Sequence, residues 1–287
     1  MKYLLVVTIF TLIMISQSYS TDFSLMAKKL LEESPEVLIK KLEYESSLKE
    51  KNESEILSAR LSFNESKCQE LEKLISIIYD YNISLFESKK YTLLINLRMS
   101  STDTSESVDK PLDILKHRLR SLERKKEYLI ESLKILTKMK NIESLGLVDL
   151  ENVDMSIVFL DIQSLLNMSD KRRLLELKKT NSVRSILESS IDIRNLKLEL
   201  MRCSFKLKDS FDLLNLYKSI HNEFLREIEK IENRYKSKEI SNEEYIKSQL
   251  HLINLKIKLL DQEKTFILNY LNMMKLLGLD VEKHLFE

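Results

Sequence analysis

Apolar side chains recur at helical spacing along almost the whole chain from about residue 24 onward. The spacing is clearest over residues 244–278, where two rows of apolar positions run side by side. The first row alternates steps of four and three, with one interruption at Lys264, and comprises Ile246, Leu250, Ile253, Ile257, Leu260, Ile267, Leu271 and Met274. The second row comprises Leu252, Leu255, Leu259, Phe266, Tyr270, Met273 and Leu277. A surface helix needs only one apolar stripe, so two rows predict a helix with neighbours on two sides.

The segment before it, about residues 196–236, carries the same helical period. The period stops near Tyr235, and Ser241 stands three residues before Glu244. Serine followed three positions later by glutamate is a capping box, which marks the start of a helix. We therefore predict an antiparallel hairpin of two long helices joined by a short turn. Because Lys264 interrupts the first apolar row, we expect its side chain to reach solvent.

The first half of the chain shows a similar plan. Residues 65–99 have a helical pattern, and residues 100–110 are polar and rich in serine and threonine, which is typical of a loop. Pro111 then stands at the position that proline favours in the first turn of a helix. That helix is predicted to run to about Ser144, with Gly146 as its C-cap.

Four short stretches of the first half recur in the second half at offsets of 131 to 135 residues. The matching pairs are Asp113–Leu119 with Glu244–Leu250, Leu30–Ser34 with Leu165–Ser169, Lys67–Cys68 with Arg202–Cys203, and Gly146 with Gly278. Similarity at a constant offset is the mark of an internal repeat. We therefore predict two repeats, residues 21–148 and 149–287.

Glycine and proline are scarce, with two of each in 287 residues, where average usage predicts roughly 20 and 14. Tight hairpins and phosphate-binding loops depend on glycine, so dinucleotide-binding, P-loop and many-stranded β folds are disfavoured. Long helices with few connections need neither residue. The predicted fold class is all-α, an elongated antiparallel bundle of long helices built from two helical-hairpin repeats.

The first twenty residues have the order of a secretory signal. Lys2 is followed by the uncharged apolar run Leu4–Ile15, and then by the small-residue site Ser18-Tyr19-Ser20. The run is shorter than the roughly 20 residues of a spanning helix, although an uncleaved membrane anchor is the alternative. We predict export with cleavage after Ser20.

Removing Lys2 from the 46 basic residues leaves 45 against 45 acidic residues. This balance gives no electrostatic case for binding nucleic acid or an anionic membrane.

Motifs for catalysis are missing from the sequence. The four histidines stand apart, without a pairing at metal-ligand spacing, and the abundant carboxylates are typical of solvated helix faces. We expect no enzyme activity, metal or cofactor. Cys68 and Cys203 leave two alternatives open, one disulfide or two buried free thiols, of which the second is favoured.

Three stretches together are similar to the outer-membrane efflux (TolC-like) family. The opening contains Ser24-Leu25, Ala27 and Ser34-Pro35-Glu36-Val37; the turn contains Arg234-Tyr235-x-x-Lys238-x-Ile240-Ser241 followed by Tyr245; and the end is Leu276-Leu277-Gly278. The first resembles the short helix and Asn-Pro-x-Leu helix start of the family, and the second resembles its Arg-Tyr-x-x-Gly-x-x-Ser tip.

The resemblance implies a component of a cell-envelope export duct, exported to the periplasm or associated with the outer membrane. In that family, protomers assemble as a trimeric helical tunnel whose tips meet a periplasmic adaptor. Carried over to this chain, the tip residues would be Tyr235, Lys238, Ile240 and Ser241. A periplasmic coiled-coil scaffold or chaperone without a conduit is the alternative.

The sequence departs from the family in two respects. The family has a β-hairpin between the helices of each repeat, whereas here the helical pattern fills most of the available length and Ala59–Phe63 is at most a short strand. The glycine of the family's tip is replaced by Lys238. Membrane contact and pore formation therefore stay open.

Overall fold

The computed structural model describes residues 23–49, 52–101, 110–140, 142, 145–151, 153–180 and 182–285. These residues form ten helices and no β-strand, which confirms the predicted all-α class. The helices are α1 (Phe23–Glu33), α2 (Pro35–Ser47), α3 (Glu53–Ser101), α4 (Lys110–Thr137), α5 (Ser156–Phe159), α6 (Ile162–Met168), α7 (Asp170–Leu177), α8 (Val183–Lys236), α9 (Asn242–Leu277) and α10 (Val281–Leu285). The predicted signal sequence, residues 1–20, lies outside the described residues.

Four long helices pack in the order α4–α3–α9–α8, so that α3 and α9 are the inner pair. Two ion pairs between α3 and α9 fix their relative direction. Lys264 Nζ lies 2.9 Å from Asp80 Oδ1, and Lys275 Nζ lies 3.1 Å from Glu65 Oε1. Residue numbers rise along one helix as they fall along the other, so α3 and α9 are antiparallel. Helices α3 and α8 therefore begin at the same end of the bundle, which we call the base.

Helix α9 buries or half-buries every residue of the two predicted apolar rows, which confirms that it has neighbours on two sides. It packs on α8 and on α3. Leu260 of the first row and Phe266 of the second have no solvent exposure. The predicted exposure of Lys264 is wrong, because its ammonium pairs with Asp80 and only 19% of its side chain is exposed.

Serine side chains begin several helices by accepting a hydrogen bond from a backbone N–H of the first turn. Ser34 and Ser169 begin α2 and α7 in this way. At the start of α9, Glu244 N donates to Ser241 Oγ at 3.2 Å, and Ser241 N donates to Glu244 Oε2 at 2.8 Å. The predicted capping box is therefore confirmed.

Two predictions about the first half are wrong. Helix α4 ends at Thr137 rather than near Ser144, because Lys138 adopts a left-handed backbone conformation with φ 52°. Gly146 consequently lies in the following irregular segment and caps no helix. The stretch Ala59–Phe63, for which the sequence allowed at most a short strand, is part of α3, where Leu61 is buried.

Helix α10 and the residues just before it pack against α3 near the base. Lys67, almost fully buried, places its ammonium 3.1 Å from Asp280 Oδ1 and 2.6 Å from Glu282 Oε1. Asn64 Nδ2 donates to the carbonyl of Gly278 at 2.9 Å. These contacts hold α10 against α3 and close the core around the end of α9.

Helices α1–α4 and α6–α9 follow the same order, two short helices and then two long ones. The capping serines Ser34 and Ser169 occupy matching places, 135 residues apart. The two repeats predicted for residues 21–148 and 149–287 stay a prediction. Within the described residues, no helix is long and apolar enough to cross a membrane.

Candidate interaction surfaces

The turn between α8 and α9, residues 237–241, is a compact cap that we call the tip turn. Ser237 N donates to Asn233 O at 2.9 Å, and Glu239 N donates to Arg234 O at 2.8 Å. Lys238 has a φ of 63°, in the left-handed region that favours glycine. The position where the TolC-like tip carries glycine is thus the position where this backbone is left-handed.

The structure brings the four predicted tip residues together. The rings of Tyr235 and Tyr245 stack across the hairpin, with centroids 4.3 Å apart and planes 6° apart. Tyr235 also donates its hydroxyl to Asn242 Oδ1 at 3.0 Å. Ser241 is exposed and serves as the N-cap, Lys238 is exposed, and Tyr235 and Ile240 are half-buried.

Electrostatics at the tip turn follow from the same contacts. Hydrogen bonds from the backbone and hydroxyl of Ser241 lower the pKa of the Glu244 carboxyl. Burial, with nearby Glu232, raises the pKa of Tyr245. Both shifts keep the ordinary charge states at neutral pH, with Glu244 ionised and Tyr245 protonated.

Sequence reasoning missed a second surface, on α8. Six apolar side chains lie on one face of this helix and are substantially exposed, and we call them the α8 stripe: Leu187, Ile191, Leu198, Met201, Phe205 and Leu216. Phe205 alone is 72% exposed. The first five are spaced by four, seven, three and four residues, and Arg194 occupies the heptad position between Ile191 and Leu198. This heptad spacing could therefore have been recognised from the sequence alone.

The other outer helix, α4, shows a weaker version of the same feature. Ile114, Tyr128 and Ile135 lie at multiples of seven residues and are all exposed, with Tyr128 at 71%. Basic residues outnumber acidic ones on this helix, eight to four. Both outer helices therefore present apolar side chains away from the inner pair.

The described residues contain no group of His, Cys, Asp and Glu side chains arranged to hold a metal ion. Cys68 and Cys203 are free thiols, the first buried and the second half-buried. Burial raises the pKa of Cys68 to about 12 and that of Cys203 to about 11, so neither is a reactive thiolate at neutral pH. His284 Nδ1 lies 3.3 Å from Asp154 Oδ2, and these two side chains belong to no such group.

A shallow cleft of about 390 Å³ near the base is lined in part by charged side chains, and most of these pair with each other or with neighbouring residues. Arg60 Nη2 lies 2.5 Å from Asp170 Oδ2, and Asp280 pairs with Lys67. The aromatic rings of Tyr44 and Phe63 stack beside it, 6.2 Å apart. Much of the cleft lining is therefore already engaged in contacts within the protein.

Taken together, the helices form an elongated bundle of two long hairpins, with unpartnered apolar side chains on its outer helices. No protein-family model matches the chain, and no curated protein matches it. Solved structures do match. A structure of CusC, described in terms of conformational changes accompanying folding and transmembrane channel formation, is 10% identical and aligns over 91% of this chain and 99% of that chain, with a TM-score of 0.57.

Two further structures align less well. The CmeC outer membrane channel of Campylobacter jejuni is 11% identical over 78% of this chain and 66% of its own, with a TM-score of 0.42. A membrane protein from Pseudomonas aeruginosa is 10% identical over 78% and 70%, with a TM-score of 0.44. The alignment with the CusC structure therefore shows a TolC-like fold for this chain.

Proposed function

We propose that this protein is a TolC-like component of a cell-envelope export duct, and that it acts by assembling with other proteins. The observation that carries the proposal is the α8 stripe on an outer helix of a TolC-like fold. Exposed apolar surfaces of this extent commonly mark interfaces between proteins. The chain would be exported and would work in the periplasm or at the outer membrane.

The partner that best suits the stripe is another copy of the chain. In the packing order α4–α3–α9–α8, the helices α4 and α8 are the two outermost. A contact between α8 of one copy and α4 of the next joins two different surfaces. Repeating such a contact produces a ring when the rotation that relates one copy to the next closes on itself. The TolC-like resemblance favours three copies around a helical tunnel.

The tip turn is the proposed docking site for a periplasmic adaptor. Lys238 is exposed and Ile240 is half-buried, while Tyr235 and Ser241 hold the shape of the turn. In this proposal the stacked tyrosines present a preformed turn, which reduces the entropy lost on binding.

The assembly is tested by introducing a charge into the α8 stripe. Phe205→Asp should convert the oligomer into monomers without changing the helical content, because the carboxylate would be buried unpaired in the interface. Lys206→Asp is the matched control, since Lys206 is exposed on the same helix but off the stripe. Analytical ultracentrifugation of protein purified from the envelope reads out both. A wild-type protein that is monomeric and lacks an axial channel would favour the scaffold or chaperone alternative.

Adaptor docking is tested separately at Ile240. Ile240→Ser should leave the melting temperature nearly unchanged and abolish co-purification of an envelope partner, while Ile240→Val should retain the partner. If Ile240 instead only packs onto the following helix, Ile240→Ser should cost about 1 kcal/mol of stability and leave the partners unaffected. No change in either measurement removes the tip turn from the proposal.

A further inference from the structure

The balanced total charge of the chain hides a local excess of positive charge at the base. Residues 170–184, which cover α7 and its connection to α8, contain six basic and two acidic residues. The tip turn at the opposite end contains one of each, Lys238 and Glu239. Because α3 and α8 run parallel from the base, this segment lies at one end of a bundle about 80 Å long at about 1.5 Å per helical residue.

Apolar side chains are exposed among these cations. Val183 is 74% exposed, and Leu177 is also exposed. Lys178 and Lys179 lie between them on the exposed connection, and no described carboxylate lies within ion-pair distance of either ammonium. The other cations of the segment are partly neutralised, since Arg172 pairs with Glu176, and Arg184 pairs with Glu188.

The matching connection of the first half reaches the same end. Helix α2 leads to the start of α3, and Arg173 of α7 pairs with Glu53 at that start. Leu42 and Leu48 are exposed there, together with Lys41 and Lys49. The acidic side chains nearby are Glu43, which pairs with Lys40, and the exposed Glu45 and Glu55. Both connections thus offer leucines and lysines side by side at the base.

We propose that the base is a docking surface for a lipid bilayer with anionic headgroups. Lysines attract an anionic surface at about 1 kcal/mol each, and exposed leucine and valine side chains can enter the boundary between headgroups and acyl chains. Neither signal is sufficient alone, because stable attachment to a membrane surface takes two signals. The base supplies both, and no spanning helix among the described residues is needed.

The test uses protein purified from the envelope and sedimented with vesicles. Wild-type protein should bind phosphatidylglycerol vesicles, bind phosphatidylcholine vesicles much less, and lose the difference as salt rises. The pair Lys178→Glu and Lys179→Glu should lower the partition coefficient onto anionic vesicles about 30-fold or more, at about 1 kcal/mol per lysine. Circular dichroism should show an unchanged fold.

A matched pair, Lys230→Glu and Lys236→Glu, makes the same change of net charge on exposed side chains near the opposite end and should bind like the wild type. The pair Leu177→Ser and Val183→Ser should also weaken binding, because it removes the apolar signal and retains the charge. The proposal is overturned if the wild type does not distinguish the two vesicle types, if both lysine pairs weaken binding equally, or if the Lys178 and Lys179 variant loses a co-purifying protein while vesicle binding is unchanged.

Discussion

Helix α9 packs against α8 on one side and α3 on the other, whereas α8 packs mainly on α9. Both helices are long, and both carry apolar residues at heptad spacing. In α9 those residues form the centre of the core, and in α8 six of them face outward as the α8 stripe. Apolar spacing therefore reports that a helix has a partner, while the position of the helix in the bundle decides whether that partner lies within the chain.

The largest expected effect separates these two kinds of apolar position. Leu260→Asp should lower the free energy of unfolding by about 3–5 kcal/mol, because it places an unpaired carboxylate in the fully buried interface of α9. Phe205→Asp on α8 should change the stability of the monomer by about 0.5 kcal/mol or less. Urea unfolding at concentrations where the protein is monomeric measures both. Similar losses for the two variants would mean that α8 is also enclosed within one copy.

The ends of the two helices give the next comparison. Gly278 ends α9 with φ 77°, and a Cβ atom there would stand 2.1 Å from Leu61 Cδ2. Gly278→Ala should therefore cost about 2–3 kcal/mol, through left-handed strain and a clash with a buried leucine. The shift of the urea midpoint measures the cost, and a midpoint equal to the wild-type value would show that Leu61 moves aside freely.

The corresponding residue after α8 should respond in the opposite direction. Lys238 already has a left-handed backbone, so Lys238→Gly should relieve strain. Part of the gain is lost to the greater freedom of glycine in the unfolded chain, which leaves a net stabilisation below about 1 kcal/mol. A clear loss of stability would instead assign the lysine side chain a structural role in the tip turn.

The smallest expected effect concerns a carboxyl on the inner helix. Burial raises the pKa of Glu263 above its ordinary value of 4.5. The folded state therefore keeps this proton to higher pH than the unfolded chain, and stability falls as pH rises from 4.5 through the folded pKa. Glu263→Gln should raise the free energy of unfolding at pH 7, and this gain should vanish below pH 4.5.

The exposed Glu199 of α8 provides the control for that measurement. Glu199→Gln replaces an exposed carboxyl and should change the free energy of unfolding at pH 7 by about 0.5 kcal/mol or less. Equal changes for the two glutamine variants would show that burial of the Glu263 carboxyl carries no cost.

Sequence predicted the parts of this fold that depend on local chemistry. The Ser241–Glu244 capping box, the proline in the first turn of α4 and the two apolar rows of α9 each have a local cause that can be read from residue order. The end of α4 could not be predicted, because a lysine at position 138 adopts the conformation for which glycine is the usual signal.

Other features depended on contacts between distant parts of the chain. Lys264 interrupts an apolar row and suggested solvent, but Asp80 on α3 supplies a counter-charge that the local pattern does not contain. Leu61 lies in a stretch that left room for at most a short strand, and its burial comes from the packing of a long helix on α9. The tip turn was predicted from the end of the helical period near Tyr235 and the capping box at Ser241, whereas its left-handed Lys238 is a detail that only the backbone shows.

The inner pair has a consequence for the order of events during folding. Helix α3 packs on α4, which follows it directly, and on α9, whose contacts with α3 join residues such as Lys264 and Asp80, 184 positions apart. The hydrogen bond from Asn64 to Gly278 spans 214 positions. Contacts this distant in sequence require a large loop to close before they stabilise anything. The core therefore cannot close until α9 and Gly278 have emerged, and in a chain that emerges N-terminus first, one face of α3 has no partner helix until then.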